Sequence, residues 1–394
     1  MSPETKKIKV AHIITMLELG GAQQNTLYTV SHLDPLLFEP LLLAGTGGIL
    51  DDEAKRMIPG IKLFFIRNLV RQVSPLRDIS ALVQIYLILK REKPDIVHTH
   101  SSKAGIIGRW AAHFAGIKII IHTFHGFGFN DYQKKLTRTL FLTAEKWTAT
   151  VSDVLVAVSR SNVNTAVKNK IGDEKKYVLV RSGIRLSDYR KTKLAEDEKN
   201  SVRNEIGIAG GEKTVTTIGP FKPQKNLADF VTAASIILKR VPGTKFLIVG
   251  DGEQRPLIEN MISEAGIKQN VLLLNWRKDI SRILSITDVF VLTSLWEGLP
   301  RAAVEAMCLA KPVVVYGVDG LVDIVQDGET GFLAEPKDIN KLSERVITLL
   351  KDPVLSRKIG ETARDSIDET FDIDYMVRQQ GDLYIKQLLK YSLR

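Results

Sequence analysis

Two carboxylates eight positions apart, Glu297 and Glu305, are the residues of this chain whose type and spacing most directly suggest chemistry. They sit in the run Ser294-Leu295-Trp296-Glu297-Gly298-Leu299-Pro300-Arg301-Ala302-Ala303-Val304-Glu305-Ala306-Met307. The apolar stretch Asp288–Thr293 before it reads as a strand, the stretch reaching Ala310 as a helix, and Pro312–Tyr316 as the next strand. Glu297 then lies in a loop at the carboxyl end of a strand, where open α/β sheets bind ligands. Gly298 permits a sharp turn and a close backbone approach. Pro300 suits a first helical turn, where its missing N–H is no loss. Glu305 falls about a turn and a half into the helix. Such a pair can accept hydrogen bonds from two sets of sugar hydroxyls, and the helix N-terminus between them offers N–H groups to an anion. That arrangement suits a nucleotide diphosphate-sugar. A bare Glu-x7-Glu also describes a capped helix with a solvated second carboxylate; the flanking Glu-Gly-Leu-Pro and Glu-Ala-Met narrow it.

Other residues with chemical potential lie at strand-to-helix turns. Gly20-Gly21 follows the strand Ile8–Ile14 and could let backbone approach phosphate; it lacks the G-x-G-x-x-G fingerprint, as does Gly250-Asp251-Gly252, with Arg255 at the third position. Lys222 and Lys225 follow the strand Thr214–Gly219 and could stabilise a diphosphate leaving group. His125-Gly126 ends the strand Ile117–Phe124, placed to meet a ligand. His98 and His100 suggest a metal only if their segment is a strand, which points them the same way, and if a third ligand exists; none is apparent, so no metal is expected and His98 reads as a hydrogen-bonded structural residue. Cys308, the single cysteine, excludes an intramolecular disulfide and reads as core.

These motifs together resemble the retaining nucleotide-sugar glycosyltransferases of the GT-B fold, family 4 type. The resemblance spans nearly the whole chain and implies two Rossmann-like domains facing across a cleft, with donor mainly on the second and acceptor on the first. It implies that Glu305 binds ribose hydroxyls and Glu297 a donor-sugar hydroxyl, with His125 at the reaction centre. Lys225, the Gly20-Gly21 amides and the turn Gly298-Leu299-Pro300 would hold the diphosphate, and the segment around Arg277 the base. Lys103 and Arg109, in a His-x-His…Lys-Ala-Gly…Gly-Arg run, become acceptor-side candidates. The family uses a nucleotide diphosphate-sugar, UDP foremost, and neither metal nor cofactor. Asp372-Ile373-Asp374 therefore reads as a helix start. The sequence departs from the pattern at Pro220, where relatives carry Arg, and at Arg185, where they usually carry Asp. The Pro220 departure leaves phosphate neutralisation to Lys225 and Lys222. Two other readings remain: a sugar-nucleotide epimerase of the same fold, or a non-catalytic basic protein binding nucleic acid or membrane.

Alternating strand and helix signals place all of this in two α/β domains, as 394 residues require. Residues 1–190 form the first, joined by a last helix over 372–394; residues 191–210, charged and aperiodic, read as linker, and 211–371 form the second. Met1–Lys9 is polar and unlike a signal peptide, and no apolar run spans a bilayer, so a cytoplasmic location is expected. The net charge of +10 is uneven. Residues 1–190 hold 27 Lys and Arg against 16 Asp and Glu, and the remainder 28 against 29. The segment Tyr132–Trp147 adds Leu136, Leu140 and Phe141 on one helical face edged by Lys134, Lys135, Arg138 and Lys146, which reads either as an interfacial helix at an anionic membrane or as a basic core helix. The first reading fits a lipid-linked acceptor in surface-polysaccharide assembly. No nucleic-acid module is recognised, and none is expected as partner.

Overall fold

The computed structural model describes residues 6–57, 60–191 and 194–393. The first five residues of the Met1–Lys9 stretch, residues 192–193 of the expected linker, and Arg394 lie outside that set. The chain divides into two units, residues 1–183 with 373–394, and residues 184–372.

Unit 1 alternates β1 (Ile8–Met16), α1 (Gly21–His32), β2 (Phe38–Gly45), α2 (Asp51–Met57), β3 (Lys62–Ile66), α3 (Pro75–Glu92), β4 (Ile96–His100), α4 (Ser102–Ala115), β5 (Ile119–Phe124), α5 (Lys135–Thr150), β6 (Val154–Ala157), α6 (Arg160–Lys168) and β7 (Tyr177–Leu179). The seven strands form one parallel sheet in the order β3-β2-β1-β4-β5-β6-β7. Side chains alternate across its two faces. Ala11, Ile13 and Leu43 pack with α3 and α4 on one side. Ile14, Leu42 and Ala44 pack with α1 and α2 on the other. Continuous apolar runs such as Leu41-Leu42-Leu43-Ala44 are what burial on both faces demands.

Unit 2 opens with α7 (Leu186–Arg190) and α8 (Glu196–Glu205), then runs through β8 (Lys213–Ile218), α9 (Leu227–Leu238), β9 (Thr244–Val249), α10 (Arg255–Glu264), β10 (Val271–Leu273), α11 (Ile280–Ser285), β11 (Val289–Leu292), α12 (Arg301–Cys308), β12 (Val313–Tyr316), α13 (Leu321–Ile324), β13 (Phe332–Ala334), α14 (Ile339–Lys351) and α15 (Pro353–Asp365). Its six parallel strands take the order β10-β9-β8-β11-β12-β13. Phe230 and Phe246 meet edge to face in its core. Finally α16 (Ile373–Ser392) returns to unit 1, where Tyr384 and Met376 complete the core over Val10, Ile96 and Ile121.

Each sheet reverses its winding once, between β1 and β4 and between β8 and β11, and ligands of open α/β sheets bind beside such switch points. Several boundaries differ from the sequence reading. The stretch 191–210 is not all linker: it contains α8, which belongs to unit 2. The helix after Glu297 ends at Cys308, and Ala310 has a left-handed backbone (φ 54°). Pro300 caps that helix and does not occupy its first turn.

Candidate functional site

In unit 2 the loops after β8, β11 and β12 converge at the switch point. Thr293, just past β11, donates its hydroxyl to the carbonyls of Lys225 and Asn226 at 3.0 and 2.9 Å. Leu295 N–H donates to Gln224 O at 2.8 Å. These bonds lace the lysine loop to the carboxylate loop. Lys225 donates to Glu297, an ion pair largely shielded from water. Gly219 stands against the Lys225 stem: a β-carbon there would lie 2.9 Å from its Cε. Phe221, fully buried, anchors the loop beside Pro220. Lys222 is half-buried in the same loop.

Glu297 is fixed from behind as well. Its N–H donates to the Asp319 carboxylate at 2.7 Å, from the loop after β12. Gln224 donates its side-chain amide to Trp296 O at 2.8 Å and to Glu297 at 3.4 Å. A β-carbon on Gly320 would meet the Gly298 carbonyl at 2.0 Å, so only glycine lets the two loops stack. Asp319 itself takes a left-handed backbone (φ 41°), a conformation short polar side chains tolerate.

Glu305 is buried on α12, and burial raises its carboxyl above the ordinary range. Arg301, at 3.8 Å, and the Tyr189 hydroxyl, hydrogen-bonded to the same carboxylate, oppose that shift. Tyr189 comes from α7, more than a hundred residues earlier in the chain. Arg277 is held by Asp279 at 2.7 Å and Glu205 at 2.8 Å, which fixes the Trp276–Asp279 turn. Leu299 is buried and Pro300 ends the turn in extended backbone. The helix after it has no side-chain cap, leaving its first N–H groups to another acceptor.

In unit 1 the sheet face under α1 and α16 changes character toward the strands' carboxyl ends, from Val10, Ile96 and Ile121 to His12, His98, His100 and Thr123. His125 follows on that side just beyond β5. It lines a small pocket together with polar Asn25, Thr29, Thr123 and Ser182 and apolar Val156, Val180 and Met376. Burial pushes His125 down to about 4 and His12 down to about 3, so both are neutral at pH 7. Gly20 precedes α1 in extended backbone and Gly21 opens the helix, again with no side-chain cap.

The ground for setting a metal aside does not hold. The segment carrying His98 and His100 is a strand, and the fold supplies a third imidazole, His12; one nitrogen from each lies within 4.8 Å of the others. Both nitrogens of His98, however, are engaged, one with Tyr384 Oη at 2.6 Å and one with Thr123 Oγ1 at 2.7 Å. That is the bonding of a structural histidine. The acceptor-side reading of Arg109 is also corrected: its guanidinium is fully buried, paired with Glu145 at 2.6 Å and bonded to Ser152 and Gly105 O, beyond reach of any acceptor. Lys103 is paired with Asp78 at 2.6 Å and donates to Gln72 O. Gln224, Asp319, Tyr189 and His12 escaped sequence reading because each reaches its partner through the fold and none lies in the partner's own motif.

Residues 19–188 match the family described as Glycosyltransferase Family 4, and residues 198–366 that described as Glycosyl transferases group 1. The chain is 33% identical over 392 residues to the UDP-Gal:alpha-D-GlcNAc-diphosphoundecaprenol alpha-1,3-galactosyltransferase of Escherichia coli, covering 99% of this chain and 100% of that one. It is 28% identical to the N-acetyl-alpha-D-glucosaminyl L-malate synthase of Bacillus anthracis over 82% of this chain and 84% of that one. Among solved structures, Anabaena Alr3699/HepE in complex with UDP and glucose superposes with a TM-score of 0.82 at 18% identity, covering 96% of this chain and all of that one.

Proposed function

Given that the chain belongs to the family 4, group 1 glycosyltransferases of the GT-B fold, we propose that it is a retaining enzyme moving a hexose from a UDP-sugar to a lipid-linked saccharide. The observation that carries the donor half is the laced loop pair of unit 2, with Lys225 on Glu297 and Glu305 buried a turn and a half into α12. Ribose hydroxyls would donate to Glu305 and a donor-sugar hydroxyl to Glu297. Lys225, joined by the uncapped N-terminus of α12, would stabilise the departing diphosphate. Lys225 already pairs with Glu297, so phosphate and sugar carboxylate share one cation and its position couples the two contacts. The Escherichia coli relative supports UDP as carrier and an undecaprenol-linked acceptor, and its product has an alpha link.

Calorimetric titration with UDP, GDP, ADP and CMP tests the donor half. UDP should bind, and Glu305→Ala should weaken it at least tenfold. Binding by none of them, or binding indifferent to Glu305, would overturn the assignment.

For the acceptor half we propose peripheral docking on an anionic bilayer through the outer surfaces of α3 and α5. Leu136, Leu140 and Trp147 project from α5 at 83%, 60% and 70% exposure, while Phe141 turns inward to the core. On α3, Leu76, Ile79, Val83 and Leu87 form a second exposed stripe at helical spacing. Exposed basic residues accompany them, including Arg77, Lys90, Lys134 and Lys135. The carboxylates of these helices are consumed: Glu145 by Arg109, Asp78 by Lys103 and Glu92 by Lys62. A bilayer of anionic lipid attracts such a surface by about 1 kcal/mol per basic residue. No described helix is long and apolar enough to cross a membrane.

A further inference from the structure

Three imidazoles in unit 1 form a continuous chain. His12 Nδ1 lies 3.1 Å from His100 Nε2, and His100 Nδ1 lies 3.3 Å from His125 Nε2. The outer nitrogens, His12 Nε2 and His125 Nδ1, are buried and have no hydrogen-bond partner among the described residues. We propose that His12 and His100 are positioning residues that set the tautomer of His125, so that His125 meets its substrate as an N–H donor from Nδ1 and does not act as a base there. The proposal rests on the transferase reading for the identity of that substrate, whose acceptor atom would be a sugar or phosphate oxygen.

Counting protons decides between the tautomers. Three neutral imidazoles carry one N–H each. Each of the two shared contacts needs one hydrogen, so a single hydrogen remains for the chain's two ends. It sits either on His12 Nε2, leaving His125 Nδ1 a bare acceptor, or on His125 Nδ1, leaving His12 Nε2 bare. The end at His12 is enclosed, with the side chain fully buried beneath the rings of His98 and Tyr384. An unpaired N–H there is the rarer and costlier outcome in a protein interior. His125 lines a small pocket whose lining does not include His12, and it stands just beyond the carboxyl end of β5, where open α/β sheets receive ligands, so its end of the chain is the one a ligand oxygen can satisfy. Every N–H therefore points outward along the chain, from His12 to His100 to His125, and the last is left for a ligand oxygen. His98 stands beside the chain with both nitrogens bonded to hydroxyls and does not divert it.

The test is the protonated nitrogen of each ring, read by long-range proton–nitrogen NMR on the full-length protein labelled with ¹⁵N-histidine, alongside steady-state transfer kinetics. The wild type should show the proton on Nδ1 of His12, His100 and His125. His100→Phe should move His125 away from a pure Nδ1–H form. It should lower kcat by roughly ten- to hundred-fold, as removing the orienting bond behind a metal-ligating histidine does, with KM little changed. His100→Asn, whose amide can donate from nearly the position of Nδ1, should restore both the tautomer and most of the rate. A wild-type His125 protonated on Nε2 would overturn the proposal, as would His100→Phe leaving tautomer and kcat unchanged. The wild-type spectrum needs neither substrate nor variant, so this inference can fail or stand apart from the transferase reading.

Discussion

A carboxylate that must accept hydrogen bonds from a ribose works best when ionised, yet burial raises the Glu305 carboxyl and favours its proton. UDP affinity should accordingly fall on acidification at a higher pH than an ordinary carboxylate would dictate. Glu305→Gln should bind more weakly but lose that pH dependence, as calorimetry across pH 4.5–7.5 would report. For stability the sign is opposite: a carboxyl raised in the fold makes the native state the better proton binder, so its contribution declines as pH rises from the unfolded to the folded value. Arg109 belongs to a different category. Removing one partner of a fully buried ion pair leaves an uncompensated charge, so Arg109→Ala should cost about 3–5 kcal/mol by denaturant unfolding. Replacing Arg109 and Glu145 together by Met should recover most of that. The loop carrying Glu297 and the helix carrying Glu305 were legible because their signals are local: strand, glycine, proline and helix follow one another. Tyr189, which holds Glu305, carries no such mark, and Arg109 was misread because sequence does not show that Glu145 meets it inside the core.

At the scale of elements, the candidate donor site is a matter of three loops stacked at a switch point. Gly320→Ala would drive a β-carbon into the Gly298 carbonyl. The strain should cost about 1–3 kcal/mol and displace the Glu297 turn, visible as a loss of UDP binding larger than the loss of stability explains. Asp319→Asn keeps the size but weakens the bond to Glu297 N–H, and should give a milder version of the same defect. The strands and long helices were readable from apolar runs and helical spacing. What was not readable has physical causes. The charged helices α2 and α8 bury little, only Ala54 and Val202 fully, and so show no apolar period. The strand placing His98 and His100 on one side was a condition until the sheet was seen. Their third neighbour, His12, is registered against His98 by a parallel pairing 86 residues distant in sequence.

For the whole molecule, the basic excess of the first half and the exposed apolar residues of α3 and α5 fall in the same unit. The protein should float with phosphatidylglycerol vesicles and remain behind with phosphatidylcholine. Leu76→Glu with Leu136→Glu should abolish flotation without lowering the melting temperature, since neither side chain is buried. Retention of flotation in that double variant would overturn membrane docking through α3 and α5. Stability should also depend on pH through His12 and His125. Both are depressed by burial, so the unfolded chain binds protons first as pH falls below about 6.5, and unfolding free energy should drop down to about pH 4 at up to about 1.4 kcal/mol per pH unit for each histidine. The measurement that bears most directly on the central claim is transfer itself. The protein is given UDP-hexoses and an N-acetylglucosamine-diphosphoprenol in anionic vesicles, and the anomeric configuration of the product is read by NMR. An alpha-linked disaccharide on the lipid is expected, formed by the wild type and lost in Glu297→Ala and Glu305→Ala. A beta-linked product, or donor turnover that never extends the lipid-linked sugar, would contradict that claim.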